Sequence, residues 1–213
     1  MTKILILGST GLLGNSILKY LSVKSEFKCF GTIRKNSDKK KLKNIKNIIL
    51  YKVDFDKSNN LKKIFKKIKP NIIINCIGVV KQVLNKNMNS EIIKVNSFLP
   101  HHLSELANEN NKIRFIHFST DCVFSGVKGN YSEEDIKDAK DIYGVSKMLG
   151  EVNYPNSITL RTSIIGHELN TKYSLLNWFL SQKKSIKGYK NAIFSGLTAP
   201  EIAKVLVKYV VPN

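Results

Sequence analysis

The chain has little cysteine, one tryptophan and almost no arginine, and each shortage closes a class of explanation. Cys29, Cys76 and Cys122 are far apart in the 213 residues, and no Cys-x-x-Cys pair occurs. Neither a disulfide framework nor a zinc ribbon is encoded, and reduced thiols of a cytosolic protein fit best. His101, His102, His117 and His167 show no ligand spacing with cysteines or carboxylates, so no metal site is expected. No apolar stretch approaches the ~20 residues that cross a bilayer. Ile4–Leu7 is too short for the apolar region of a secretory signal and lacks a cleavage site. The expectation is a cytoplasmic chain with no membrane partner.

Acidic residues are also scarce, 16 against 35 lysines and arginines, for a net charge of +19. Such an excess can mark nucleic-acid binding. Yet the only arginines are Arg34, Arg114 and Arg161, and arginine is the preferred fork for bases and phosphates. The run Lys39-Lys40-Lys41-Leu42-Lys43 has no aromatic residue on which a base could stack. No nucleic-acid partner is expected. A Lys-rich surface would still draw in an anionic nucleotide ligand.

Hydrophobic residues make up 42% of the chain, enough for an ordered globule of this length. Short β-branched runs alternate with amphipathic stretches, the signature of βαβ units and a parallel sheet. Strands are predicted at Lys3–Leu7, Phe27–Ile33, Ile48–Val53, Ile72–Cys76, Ile113–Ser119 and Ser157–Thr162. Helices are predicted at Leu12–Leu21, Leu61–Lys69 (stopped by Pro70), Ser90–Asn110 and Tyr143–Val152. Asn36–Asn47 reads as a solvated basic connector with a turn and a helix. Thr198-Ala199-Pro200-Glu201 fits a capping box with proline in the first turn, opening a helix to about Tyr209.

Two motifs carry chemistry. Gly8-Ser9-Thr10-Gly11-Leu12-Leu13-Gly14 follows the first strand and opens a helix, the context of a phosphate-binding turn. Gly8 permits the turn, Gly11 lets backbone approach a pyrophosphate, and Gly14 lets helix and strand pack closely. Amides at the helix start would face the phosphates. The second strand ends Gly31-Thr32-Ile33-Arg34-Lys35, with no acid before Asp38. A carboxylate there would suit a ribose 2′-hydroxyl, whereas Arg34 suits a 2′-phosphate, so NADP(H) is favoured over NAD(H). Asp54 and Phe55, then Cys76-Ile77-Gly78, follow the third and fourth strands, at the carboxyl ends where open α/β sheets bind ligands.

The second motif is Tyr143-Gly144-Val145-Ser146-Lys147, with Tyr143 and Lys147 one helical turn apart. Thr120 lies in Ser119-Thr120-Asp121 after the fifth strand. A carbonyl under reduction gains negative charge on oxygen and needs a proton donor and hydrogen bonds there. Tyr143 would donate, Thr120 would bond the oxygen, and Lys147 would hold the nicotinamide ribose. A nearby Lys147 cation is expected to lower the Tyr143 pKa.

Together these features resemble an extended short-chain dehydrogenase/reductase, and specifically the dTDP-4-dehydrorhamnose reductase family. Ser119-Thr120-Asp121-Cys122-Val123-Phe124-Ser125-Gly126 is similar to its S-T-D-x-V-F-x-G run. Tyr143–Lys147 with Gly150-Glu151 is similar to its Y-G-x-S-K…G-E segment, and Leu160-Arg161-Thr162-Ser163 to its L-R-T-S strand. Asn75–Gly78 and Asn96 also match, and Asn96 joins the expected cofactor residues. The resemblance implies a Rossmann-type doubly wound sheet over residues 1–162, with a small substrate lobe at 163–213 that is cut short relative to the family. It implies NADPH-dependent reduction of the C4 ketone of a dTDP- or UDP-linked 4-keto-6-deoxy sugar, in making cell-surface polysaccharide precursors. Ile164–Leu169 and Asn191–Gly196 would wall the substrate pocket. A homodimer is left open. The alternatives are a nucleotide-sugar epimerase or dehydratase, which keeps the same Tyr/Lys pair, and a non-catalytic dinucleotide-binding regulatory subunit.

Overall fold

The computed structural model describes residues 1–55, 58–83, 89–109, 113–169 and 171–212. Strands β1 (Thr2–Leu7), β2 (Phe27–Ile33), β3 (Ile48–Lys52), β4 (Ile72–Asn75), β5 (Arg114–Phe118) and β6 (Ser157–Leu160) take the order β3-β2-β1-β4-β5-β6. The pairings β1–β2, β1–β4, β2–β3 and β5–β6 are parallel. With helices between the strands, this is the Rossmann-type arrangement that the alternating pattern predicts. The chain clusters into two compact units, one made of Met1–Cys76 with Ser163–Asn213, the other of Ile77–Thr162.

In the first unit β1 is flanked by β2 and β4, and Ile4 to Leu7 are fully buried. A strand covered on both faces needs a continuous apolar run, which this one has. Helix α1 (Leu12–Leu21) buries Leu13, Gly14, Ile17, Leu18 and Leu21, one stripe at helical spacing. Helix α2 (Ser58–Ile68) begins earlier than predicted. It buries Leu61, Ile64, Phe65 and Ile68 and turns Lys62, Lys63, Lys66 and Lys67 to solvent. Lys69 leaves the helix at φ +49°, ahead of Pro70. The basic connector forms a 3₁₀ helix, Asn36–Leu42, anchored by buried Leu42.

After β7 (Ile164–Ile165), α6 (Leu175–Leu180) and β8 (Leu197–Thr198), helix α7 (Ala199–Val205) packs on α1. The Thr198 hydroxyl caps α7, accepting from the Glu201 amide at 3.4 Å, and the helix runs on through a π turn, Leu206–Val210. Ala199 and Ala203 are among the buried residues of α7, small enough for close helix contact.

In the second unit, α3 (Asn89–Ile93), a π turn (Lys94–Phe98) and α4 (Leu99–Asn108) form one continuous rod. The predicted helix Ser90–Asn110 is that rod; its last predicted residue lies outside the described residues. Helix α5 (Ile142–Leu149) stops short of the predicted Val152. Gly150 closes it, and a Cβ there would overlap the Asn96 carbonyl oxygen and lie 2.9 Å from its carbon.

The Gly8–Gly14 turn depends on a missing side chain. A Cβ on Gly14 would overlap the Gly8 carbonyl oxygen and sit 2.9 Å from its carbon, and both are backbone atoms that cannot step aside. Gly14→Ala should therefore cost about 1–3 kcal/mol, read as a lower urea midpoint. At Gly11 the nearest atom is 3.3 Å away, so Gly11→Ala should cost clearly less.

Candidate active site

The glycine turn is tied to the end of β2 by hydroxyl groups. The Gly8 amide donates to Thr32 Oγ1 at 3.0 Å, the Thr32 amide to Ser9 Oγ at 3.0 Å, and Ser9 Oγ–H to the Ile6 carbonyl at 3.0 Å. Ser9 is fully buried, so its hydroxyl belongs to the fold. Gly31 makes room for it, since a Cβ there would lie 2.6 Å from Ser9 Oγ. Gly8 has φ +81°, a conformation that suits glycine. Gly11 is the exposed N-cap of α1, with no side-chain cap and no acid in the first turn. Those amides suit an anion. Thr10 and Leu12 are half-buried and Leu13 is in the core, so Leu13 can offer only its backbone.

At the end of β2, Arg34 is exposed. Asp38, the first acid after the strand, is occupied. Its carboxylate accepts from the Lys35 amide at 3.1 Å and from Lys41 Nζ at 2.7 Å. The Lys41 hydrogen bond is the largest influence holding its pKa below the usual carboxylate range. Asp54 and Phe55 are half-buried just past β3, and Cys76 is half-buried just past β4, its amide donating to the Leu7 carbonyl at 3.1 Å.

The second unit gathers the remaining predicted residues. Asn96 sits in the π turn, fully buried. Its Oδ1 accepts from the Val79 amide at 2.8 Å, and its Nδ2 donates to the Val79 carbonyl at 3.0 Å and to Ser146 Oγ at 3.2 Å. Ile77 is buried and Gly78 exposed; a Cβ on Gly78 would lie 3.5 Å from Asn96 Oδ1 and 3.9 Å from Lys147 Nζ. Lys147 is buried, and its ammonium donates to the Phe118 carbonyl at 2.6 Å. Thr120, also buried, accepts from the Cys122 amide at 3.2 Å and donates to Asp121 Oδ1 at 3.1 Å.

Tyr143 corrects one expectation. Burial of the phenol pushes its pKa up to about 12, and a hydrogen bond with the Thr120 hydroxyl offsets only part of that rise. Desolvation outweighs any pull from the Lys147 cation, whose ammonium is directed to a backbone carbonyl. The phenol is therefore fully protonated at neutral pH. Helix α5 presses on the Thr120 turn, because a Cβ on Gly144 would overlap the Cys122 carbonyl oxygen and approach Ala139 Cβ to 2.7 Å.

Sequence reasoning missed two parts. Thr32 locks the glycine turn, and its only sequence signal was a small polar residue at a strand end. Asp141 caps α5, accepting from the Tyr143 and Gly144 amides at 3.0 Å each, and the cue was an acid just before the helix.

The profile described as RmlD substrate binding domain matches residues 1–190. The chain belongs to this family. Among solved structures, the RmlD-family fold is shared with a hypothetical dTDP-4-dehydrorhamnose reductase from Sulfolobus tokodaii, 27% identical with a TM-score of 0.77 over 97% of this chain and 71% of that one. A dTDP-4-dehydrorhamnose reductase from Clostridium acetobutylicum has the same fold, with a TM-score of 0.71 at 24% identity over 99% and 71% of the two chains. The spore coat polysaccharide biosynthesis protein SpsK of Bacillus subtilis is 32% identical over 102 residues, which take in 45% of this chain and 36% of that relative.

The Asp141 cap has a measurable pH signature. Backbone hydrogen bonding from Gly144 is the largest of the effects that hold the Asp141 pKa low. A depressed folded pKa stabilises above the unfolded value and loses that contribution as pH falls through the folded one. Asp141→Ala should cost about 0.5–2 kcal/mol at pH 7. The gap from wild type should narrow below about pH 4, as read by denaturant melts across pH.

Proposed function

We propose that this chain is an NADPH-dependent reductase acting on the C4 ketone of a dTDP- or UDP-linked 4-keto-6-deoxy sugar, and that it works in the cytoplasm in polysaccharide precursor synthesis. The observation that carries this reading is the seating of α5 on the Thr120 turn. It brings a protonated phenol and a hydroxyl together, with a buried ammonium one helical turn along. Family membership and the reductase-like relatives support the same chemistry.

The chain's residues fit the cofactor. The uncapped amides at the start of α1, with Gly8, Thr10, Gly11 and Gly14, would hold the pyrophosphate. Asp54 and Phe55 would flank the adenine, and Arg34 would pair with the 2′-phosphate while Asp38 is held by Lys41. Cys76, Ile77, Gly78 and Asn96 would line the nicotinamide half. When bound, NADPH supplies the hydride. Tyr143 gives its proton to the carbonyl oxygen. Thr120 donates a hydrogen bond to that oxygen, exchanging its bond to Asp121. Lys147 would hold the nicotinamide ribose. Ser163–Asn213 serves the sugar-nucleotide.

NADPH should bind more tightly than NADH, by about 1.5–3 kcal/mol before desolvation costs, and Arg34→Ala should erase most of the difference. Titration calorimetry with both cofactors checks it; equal constants in the wild type would remove the case for the 2′-phosphate.

Tyr143→Phe should keep NADPH affinity and lose turnover by about 10²–10⁴-fold, the usual value of general acid catalysis. The assay is NADPH oxidation with a 4-keto nucleotide sugar. Residual turnover above about a tenth of wild type would point to a different proton donor.

A further inference from the structure

Segment 124–141 joins the Thr120 turn to α5, so both the hydroxyl and the phenol of the proposed site hang from its two ends. It is long for a connection between elements, yet it is stapled along its length. The Ser125 amide and hydroxyl both donate to Asp138, at 2.7 and 2.6 Å. The Ser132 amide donates to Asp135 at 2.7 Å, and Lys128 pairs with Asp135. Phe124 and Tyr131 stack with ring centroids 4.5 Å apart. The Arg161 guanidinium lies over the Phe124 ring at 5.3 Å from its centroid, and Lys128 Nζ over the Tyr131 ring at 5.9 Å. Each stacked ring thus has a cation of its own, which the negative ring faces favour.

Arg161 and Glu151 fasten this stapled segment to the rest of the unit. Arg161 Nε and Nη2 fork onto the Glu151 carboxylate at 2.8 and 3.0 Å, and Nη1 donates to the Glu133 carbonyl at 3.0 Å. Lys137 Nζ donates to the same carboxylate at 3.0 Å. The Glu151 side chain is 8% exposed and that of Arg161 23%, so water screens the pair little. Burial alone would raise the Glu151 pKa, but Arg161 and Lys137 outweigh it and hold the carboxyl ionised. Glu151 stands two residues beyond α5, where Gly150 lies against the Asn96 carbonyl. One carboxylate therefore fixes the exit of α5, the end of β6 and the segment that leads back to the entry of α5.

We propose that Glu151 and Arg161 are positioning residues that clamp segment 124–141 and thereby seat Tyr143 against Thr120. The clamp does not touch the reacting atoms. Its role in turnover rests on the reductase reading above, while its role in seating Tyr143 does not.

The test compares wild type with Glu151→Gln, which keeps the shape and removes the charge, and with Arg161→Lys, which keeps the charge and removes the fork. Lys137→Ala, which removes one anchor and spares the fork, covers the case in which either of the first two fails to fold. All are read where circular dichroism shows folded protein. Acetylation of Tyr143 by N-acetylimidazole, followed by mass spectrometry and normalised to exposed Tyr189, should rise several-fold in the first two variants and less in the third. Amide exchange should quicken across 124–141. With substrate, kcat should fall about tenfold while NADPH affinity stays within about twofold, and the Glu151→Gln/Arg161→Lys double variant should be little worse than either single one. Unchanged Tyr143 labelling in a folded Glu151→Gln protein overturns the clamp, and faster labelling with wild-type kcat overturns its role in turnover. A wild type that reduces no 4-keto nucleotide sugar overturns the reductase reading instead, and the labelling still decides the seating.

Discussion

The approach of α5 to the Thr120 turn, backbone against backbone at Gly144 and Cys122, is the constraint on which the proposed site depends. A helix that carried any side chain there would be pushed off the turn, taking the phenol and the ammonium with it. The same device recurs where Gly14 lies on the Gly8 carbonyl and where Gly150 lies on the Asn96 carbonyl. At all three places the close contact lies at a helix end, and carbonyl groups rather than side chains set the distance. Interiors pack densely and give little, so such contacts fix position more firmly than flexible side chains could.

These contacts come with buried polar groups, which are costly unless partnered. Lys147 has the Phe118 carbonyl, Asn96 has both backbone groups of Val79, and Ser97 Oγ donates to the Ser146 carbonyl at 2.8 Å. Each partnership also narrows the orientation its side chain can take. The apolar surroundings that make such groups expensive also keep the Tyr143 proton in place. The lysines are distributed differently: Lys63 and Lys66 on α2, for example, are exposed and add to the positive potential around the chain.

The fold was legible because its signals are local. A strand buried on both faces must be continuously apolar, as Ile4–Leu7 is, and an amphipathic helix must alternate as Leu61–Ile68 does. The glycine spacing and the Tyr/Lys spacing were legible for the same reason. What could not be read depends on contacts between distant residues. Asn96 sits 50 residues before Ser146 and 17 after Val79, and its bonds to both follow from three-dimensional placement. The Tyr143 pKa moved opposite to expectation because burial cannot be counted from a tyrosine and a lysine four residues apart. The fold-facing direction of the Ser9 hydroxyl likewise rests on the space left by Gly31, 22 residues away.

The π turn at Lys94–Phe98 places one extra residue in an otherwise regular rod. Each residue advances a helix by about 100°, so positions before and after Asn96 follow two different phases of the same wheel. In evolutionary terms such a turn is a one-codon insertion carried inside a helix. Losing that codon would turn every position on one side of the turn by about 100° relative to the other, and it would swing Asn96 away from Val79 and Ser146. The smallest of in-frame deletions would thus leave a rod that no longer braces Ser146 on α5.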